Sequence, residues 1–509
     1  MSNFDINKVR ELMGIDYEVY TSPFANEETF SASVNAKHNR QERTKLYNNL
    51  EEVIKLSGLK DGDTISFHHH FRDGDLTVAL VMDVIEKLGY KDLTVAASSF
   101  TNAHTCMIEY IENGVVSALQ TSGCRDKLGE AVSGGILKKP MIIRSHGGRA
   151  AAIESGRLKI DVAFLAVSSA DCYGNANGTV GKTVCGSLGY AMVDAKHAKT
   201  TVLLTDTVVP YPNYPISIPQ TDVDFVVEVE GIGDSKGIMS GATRFTNNPK
   251  ELLQAKNVLK AIVNTDFFKD GFSWQTGTGG AALAVSRYLK DVMITENIKG
   301  DFILGGITQG NVDLLEEGLF AKILDTQDFD LAGVQSLGEN PKHIEISAGM
   351  YASMYNKGAA VNKLDYVILS ALEIDTDFNV NVITGSDGVI RGASGGHSDT
   401  AAAANVSIIV TPLLRGRIPC VVEKVQTIIT PGASVDILVT DIGIAVNPLR
   451  PELKEQIESA GVKTMSIEEM KEKAYSITGR PDDIEYDDQI VSIVEFRDGT
   501  VLDVIRKVK

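Results

Sequence analysis

Two segments of this chain repeat one another across 204 residues. IDVAFLAVSSADCYGNAN (160–177) and LDYVILSALEIDTDFNVN (364–381) share five of 18 positions: Asp161/Asp365, Leu165/Leu369, Asp171/Asp375, Asn175/Asn379 and Asn177/Asn381. With a slip of two residues, Ser145/Ser347, Gly147/Gly349, Ala150/Ala352 and Gly156/Gly358 also align. Apolar strands share a few residues by chance. A D-x-x-x-N-x-N signature after a strand in both copies is harder to obtain that way, and it constrains the chain to two similar halves.

Around the repeat, apolar runs (DLTVAASSF, TTVLLTD, VSIIVTPL, VDILVTD) alternate with helical stretches. TVALVMDVIEKLG (77–89) has apolar residues at helical spacing and stops at a glycine. This alternation predicts an α/β fold with mainly parallel sheets, duplicated within one chain. The proline-rich VVPYPNYPISIP (208–219) opposes regular structure and is read as the linker. The halves are then expected to span 1–235 and 236–509. IVSIVEFRDGTVLDVIRKV reads as a hairpin turned at Asp498-Gly499, closing the second sheet.

With 49 Lys and Arg against 67 Asp and Glu, the net charge of −18 argues against a general nucleic-acid or membrane-surface binder. An acidic chain that handles an acidic substrate must gather positive groups locally. Five cysteines without a C-x-x-C pair make a disulfide framework or zinc site unexpected and fit a reducing cytoplasm. The charged N-terminus MSNFDINKVRELMG is no signal peptide, and no apolar run reaches the ~18 residues of a membrane helix.

Four segments carry chemistry. ISFHHHFRDGD (65–75) reads as a strand running into a loop. Strand alternation puts His68 and His70 on one face and His69 on the other. An anion- or substrate-orienting role for His68, His70 and Arg72 leads, core histidines follow, and a metal site comes third for want of another ligand. RSHGGRAAAIESG (144–156) brings His146 and Arg149 beside a glycine pair; a carboxylate clamp and a solvated turn are equal readings. SWQTGTGGAALAVSRYL (273–289) sets Gly277 and Gly279 before a helix, a candidate phosphate or thioester cradle, with a plain tight turn as the alternative. GSDGVIRGASGGHSDT (385–400) offers Arg391, Ser394, Gly395, Gly396 and His397. Its G-x-S-x-G invites a hydrolase reading with Ser394 as nucleophile. That fold, however, places its histidine well downstream of the serine, and His397 is the last histidine of the chain. Backbone N–H groups for an oxyanion, with Arg391 and His397 for carboxylates, fit the loop better.

On ISFHHHFRDGD, RSHGGRAAAIESG, SALEIDTDFNVNVITGSDG and RGASGGHSDTAAAAN, the chain resembles the citrate lyase α chain family over nearly its whole length. Each half is also similar, more distantly, to the α and β units of CoA-transferases. The resemblance implies two related Rossmann-like CoA-transferase domains. It also implies transfer of an acyl-carrier thioester from acetate to citrate, with CoA or a phosphopantetheine-type (phosphoribosyl-dephospho-CoA) arm as co-substrate rather than a resident cofactor. A cytoplasmic complex with a carrier γ subunit and a citryl-lyase β subunit, and a homo-oligomer within it, follow from the same resemblance.

Many CoA-transferases carry a glutamate nucleophile in a segment resembling G-x-H-T-E-x-x-x-x-x-V-D-L-x-x-x-G. The counterpart here is LGGITQGNVDLLEEG (304–318), with Gln309 read at the glutamate position. An amide cannot act as that nucleophile, so direct exchange in a ternary complex is expected. Citrate carboxylates are assigned to His68, His70, Arg72, His146, Arg149, Arg391, Ser394 and His397. The backbones of Gly277, Gly279, Gly305, Gly306, Gly395 and Gly396, with Asn379 and Asn381, are assigned to the thioester or its arm. No metal ligand set is expected. Another short-chain CoA-transferase, an acyl-CoA hydrolase and a non-catalytic scaffold remain as rival readings.

Overall fold

Apolar runs that are buried on both faces make parallel strands, and here they make two sheets. The computed structural model describes residues 5–16, 44–239, 246–277 and 280–509. Residues Met1–Thr44 form a unit of their own. Its described part is a helix, Ile6–Met13, capped by the Asp5 side chain and ended by Gly14 at φ 63°. The second unit, Lys45–Lys509, holds both sheets.

The strands of the first sheet are β1 (Leu46–Tyr47), β2 (Thr64–Phe67), β3 (Leu93–Ala97), β4 (Val116–Thr121), β5 (Met141–Ile143), β6 (Val162–Ala166), β7 (Thr200–Thr205) and β8 (Phe225–Glu228). Those of the second are β9 (Phe272–Thr276), β10 (Gly300–Ile307), β11 (Phe320–Asp328), β12 (His343–Glu345), β13 (Tyr366–Ser370), β14 (Val406–Val410), β15 (Ile437–Val439) and β16 (Ile444–Val446). Two further strands, β17 (Tyr486–Glu495) and β18 (Val501–Val508), complete the first sheet.

The duplication is plain in the strand order. The first sheet runs β5-β4-β3-β2-β6-β7-β8, and the second runs β12-β11-β10-β9-β13-β14-β15. Neighbours within both series pair in parallel. The repeated aspartates do the same job in each: Asp161 accepts the Thr64 N–H at 3.0 Å and Asp365 accepts the Ser273 N–H at 2.9 Å, each fixing register beside the central strand.

Two expectations are corrected. The hairpin β17–β18 closes the first sheet, not the second: Ser492–Val494 pairs in parallel with Met141–Ile143. The reason is burial, because Val491, Val494 and Ile505 pack into the core of the first half. The proline-rich segment 208–219 is not the linker between halves. It is the crossover from β7 to β8, tied down where Asn213 Nδ2 donates to the carbonyls of Ser169 and Asn175. The chain leaves the first sheet after Glu228 and enters its next α-helix at Pro249.

Candidate active site

The carboxyl ends of the central strands of both sheets face a common cleft of about 450 Å³, the place where open α/β sheets bind ligands. The first half contributes His69, Arg72, Ser99, Ser122, Arg125, His146 and Tyr190. The second contributes Gln275–Gly277, Gly305–Gly306, Thr326–Gln327, Phe329, Tyr351 and the 392–397 loop. Backbone bonds stitch the two walls together: Ser394 N–H to the Ser122 carbonyl at 2.7 Å and His146 N–H to the Gly395 carbonyl at 2.8 Å. Gln327 Nε2 donates to the His69 carbonyl at 3.1 Å. Another cavity of similar volume, beside Met192, Lys196 and Met350, lies against helix flanks rather than at strand ends.

The cleft is cationic. Arg72 stands in left-handed backbone conformation at φ 53°, its guanidinium 4.8 Å from the Phe329 ring centroid. Burial, and then the neighbouring Arg125, bring the Arg72 pKa down to about 10, still charged at neutral pH. Burial also lowers the pKa of Arg125, opposed by Asp73. Arg415 reaches the same wall, donating to the Leu372 and Ala371 carbonyls.

The histidines here are neutral. Burial, with Arg149 and Arg125 adding to it, takes His146 to about 3. Its ring lies 4.6 Å from Tyr190, and its Nδ1 has no partner. Ser98 Oγ accepts the His69 backbone N–H at 3.0 Å and meets His69 Nδ1 at 2.6 Å. Among the described lining residues there is no carboxylate, cysteine or lysine.

The structure brings together some of the residues expected from sequence and separates others. Arg72, His146, Ser394, His397, Gly277, Gly305, Gly306, Gly395 and Gly396 line the cleft. His397 has both ring nitrogens engaged, Nδ1 with Thr430 Oγ1 at 2.7 Å and Nε2 with the Ser370 carbonyl at 3.1 Å, so it holds the loop. The Gly277 N–H is spent on the Ile368 carbonyl at 2.9 Å. The N–H groups of Gly395 and Gly396 have no acceptor among the described residues. Gly279 lies outside the described residues.

His68 and His70 do not line the cleft. The alternation carries on past the end of β2 at Phe67, with His68 and His70 on one side and His69 on the other, but the cleft lies on the His69 side. His69 turns to the ligand side while His68 and His70 stack on each other at 3.9 Å in the interior. Arg149 is also interior, paired with Asp194. Arg391 lies outward on Glu130 and Asp387. Asn379 and Asn381 hold turns: Asn379 Oδ1 accepts from Gly432, and Asn381 Oδ1 from Ile383 and Thr384.

Gln309 is off the cleft too. It opens the helix Gln309–Glu316, its amide donating to Asp313 Oδ1 at 2.7 Å. Counted back without a gap from Val312, the family spacing reaches Gly306, which does face the cleft. A Cβ there would meet the Phe329 ring at 1.8 Å, so a side chain fits only if that ring moves. Sequence reasoning missed Arg125, His69, Tyr190 and Gln327. Two had a signal: strand alternation set His69 apart from His68 and His70, and Arg125 follows β4 as Arg72 follows β2, at the ligand end of a parallel strand.

The chain matches the family described as "Citrate lyase, alpha subunit (CitF)" over residues 43–508. It is 58% identical to the citrate lyase alpha chain of Escherichia coli over 465 residues, 91% of each chain. It is 55% identical to that of Klebsiella pneumoniae over 474 residues, 93% of each. A crystal structure from Streptococcus mutans, named for the alpha subunit of citrate lyase in complex with citrate, superposes with a TM-score of 0.91 at 58% identity, covering 92% of both chains. At 15% identity, a Pseudomonas malonate decarboxylase hetero-tetramer shares the fold with a TM-score of 0.65, covering 85% of this chain and 86% of that one. With its paired sheets, its cationic cleft and this match across nine-tenths of its length, the chain belongs to the citrate lyase alpha subunit family.

Proposed function

We propose that the cleft exchanges the acid partner of a thioester: acetyl thioester plus citrate gives citryl thioester plus acetate. The observation that carries this is a described lining rich in arginine and neutral histidine, without any carboxylate, cysteine or lysine to act as a protein nucleophile. A citrate carboxylate is ionised at neutral pH and needs no general base. Its oxygen attacks the acetyl carbonyl, the C–S bond breaks, and the thiolate leaves behind an acetyl–citryl anhydride. The thiolate then attacks the citryl carbonyl of the anhydride and acetate departs.

Arg72 and Arg125 supply charge for citrate carboxylates. His69 and His146 supply neutral hydrogen-bonding partners. The free N–H groups of Gly395 and Gly396 stabilise the tetrahedral oxyanion, a contribution of about 2.7–4 kcal/mol per donor in a known case. Positioning is the other large term, up to ~7–11 kcal/mol. The anhydride demands a cleft that excludes water.

The thioester is carried on CoA or on the pantetheine-type arm of a carrier γ subunit, beside a citryl-lyase β subunit, in a cytoplasmic assembly. No helix among the described residues is long and apolar enough to cross a membrane. The two sheets correspond to lobes divided near 235/236, with the C-terminal hairpin crossing back.

Acyl exchange between acetyl-CoA and labelled citrate, run on the isolated chain, tests this reading. Exchange without a borohydride-trapped glutamyl adduct is expected. A trapped adduct, or acetyl-CoA hydrolysis without transfer, would overturn it.

A further inference from the structure

Next to the cleft, and outside its chemistry, lies a polar cluster that the proposed reaction does not use. Asp325 and Asp328 close the β11 strand and His343 opens the neighbouring β12. The two aspartates are fully buried and His343 is 4% exposed. One ligand atom from each lies within 4.8 Å of the others, a convergence found once among the described residues.

The cluster lacks the donors such groups need. Asp325 has only the Gln327 N–H and the Asp328 carboxyl beside it, neither in full hydrogen-bonding geometry, and Oδ1 of Asp328 has no other donor. Asp328 Oδ2 accepts a single bond, 3.1 Å from the Ser187 N–H. No Lys or Arg forms an ion pair with either aspartate among the described residues, and Glu345 adds a third acidic group beside Asp325. Buried carboxylates in this state are costly unless a cation or a proton compensates them.

His343 is the independent sign of which it is. Its Nδ1 is engaged by Ser336 Oγ at 3.0 Å, the outer-shell bond that orients a ligating imidazole. Its Nε2 is unpartnered and faces Asp325 Oδ2 at 3.4 Å. In a tetrahedron with bonds of about 2.0–2.1 Å, two ligand atoms stand about 3.3–3.4 Å apart. The fold also makes room for the carboxylate: a Cβ on Gly186 would come within 1.8 Å of Asp328 Oδ2, and one on Gly333 within 2.1 Å of Oδ1.

We infer that Asp325, Asp328 and His343 form a structural site for a first-row divalent cation, Zn²⁺ or Mn²⁺. Two carboxylates and one imidazole suit these ions better than Mg²⁺ or Ca²⁺, which favour all-oxygen shells. Burial excludes a substrate from this site, so the role is to tie elements together. Ser187 donates to Asp328 through its N–H and to the Asp325 carbonyl through its hydroxyl, and Leu188 N–H donates to Glu345. The cation would therefore hold the 186–188 loop of the first half against β11. It would also fix Thr326 and Gln327, the two cleft-wall residues between the aspartates.

The test uses the untagged full-length chain, stripped with EDTA and reconstituted with Zn²⁺ or Mn²⁺ in separate arms. About one equivalent of one metal should survive gel filtration, with a saturable rise in Tm. Asp328→Asn and His343→Ala should lose both effects. Because a buried substitution can unfold the chain, Co²⁺ reconstitution of the wild type provides a second readout, a visible d–d band of nitrogen- and oxygen-ligated cobalt. No retained metal and an unmoved Tm in every arm would overturn the site and leave two carboxyls sharing a proton. Equal retention by wild type and folded variants would place the metal elsewhere and overturn it as well.

Discussion

The guanidinium of Arg149 grips Asp194 through two hydrogen bonds of 2.7 Å and gives a third to the Ala96 carbonyl at 2.9 Å. Both side chains are buried. This arginine therefore holds helix His146–Glu154 against helix Gly189–His197, and so places His146 and Tyr190 on the cleft wall. Arg149→Ala would strand a buried carboxylate and should destabilise the chain by about 3–5 kcal/mol. Denaturant unfolding would show it. An unchanged midpoint, with citrate affinity lost, would restore Arg149 to the substrate.

Arg72→Ala and Arg125→Ala should act on the substrate instead. Losing one charge-assisted hydrogen bond costs about 1.5–3 kcal/mol, so KM for citrate should rise roughly 10- to 100-fold with little change in Tm. Arg391→Ala is the control. Arg391 is half exposed and pairs with surface acids, and exposed pairs contribute about 0–1 kcal/mol. Steady-state exchange kinetics on the three variants would separate them; a large KM effect from Arg391→Ala would contradict the cleft described.

Gly306→Ala should weaken exchange. The added methyl would lie 1.8 Å from the Phe329 ring, which itself packs under Arg72. Overpacking of this kind costs typically about 1–3 kcal/mol, and it would shift the arginine as well. Full activity in Gly306→Ala would show that the wall can yield. Gly306→Glu should likewise fail to create a glutamyl thioester, as mass spectrometry after acetyl-CoA would report.

The buried histidines should weaken the fold on acidification from neutral pH. Burial lowers His68 to about 4, His146 to about 3 and His397 to about 4, from 6.5. At these three rings the unfolded chain binds more protons than the folded one below about pH 6.5. The stability these neutral rings contribute is complete above that pH and is lost as pH drops toward 4. Asp399 opposes this: burial raises its carboxyl to about 6, so it gives stability at low pH that disappears as pH rises through 6. Burial raises Asp325, Asp328, Glu345, Glu373, Asp375 and Asp436 in the same sense as Asp399, so the histidine share is read by comparing wild type with His146→Gln. Urea midpoints of the two between pH 7.5 and 4.5 would show it: the wild-type midpoint should fall relative to that of the variant, and a constant difference would contradict a buried neutral His146.

The repeat was legible because its residues act locally. Asp171 Oδ1 accepts from Tyr173, Gly174 and Asn175, and Asp375 Oδ1 from Asp377 and Asn379, all within four residues. A turn of that kind leaves a pattern in sequence. The family motifs also led to the cleft loops, where Arg72, His146 and Ser394 do stand. Alternation set His69 apart from His68 and His70 as expected, but which face meets the cleft depends on what packs against the strand end, which no periodicity marks.

By itself, the sequence determined that two similar α/β units would form, since hydrophobic period, turn chemistry and the repeated Asp and Asn are properties of neighbouring residues. Only the tertiary structure decided which arginine faces solvent, substrate or Asp194, and which sheet takes the last hairpin. Charges and strand edges choose partners tens or hundreds of residues away, by burial and distance, and those become defined only when the chain has folded.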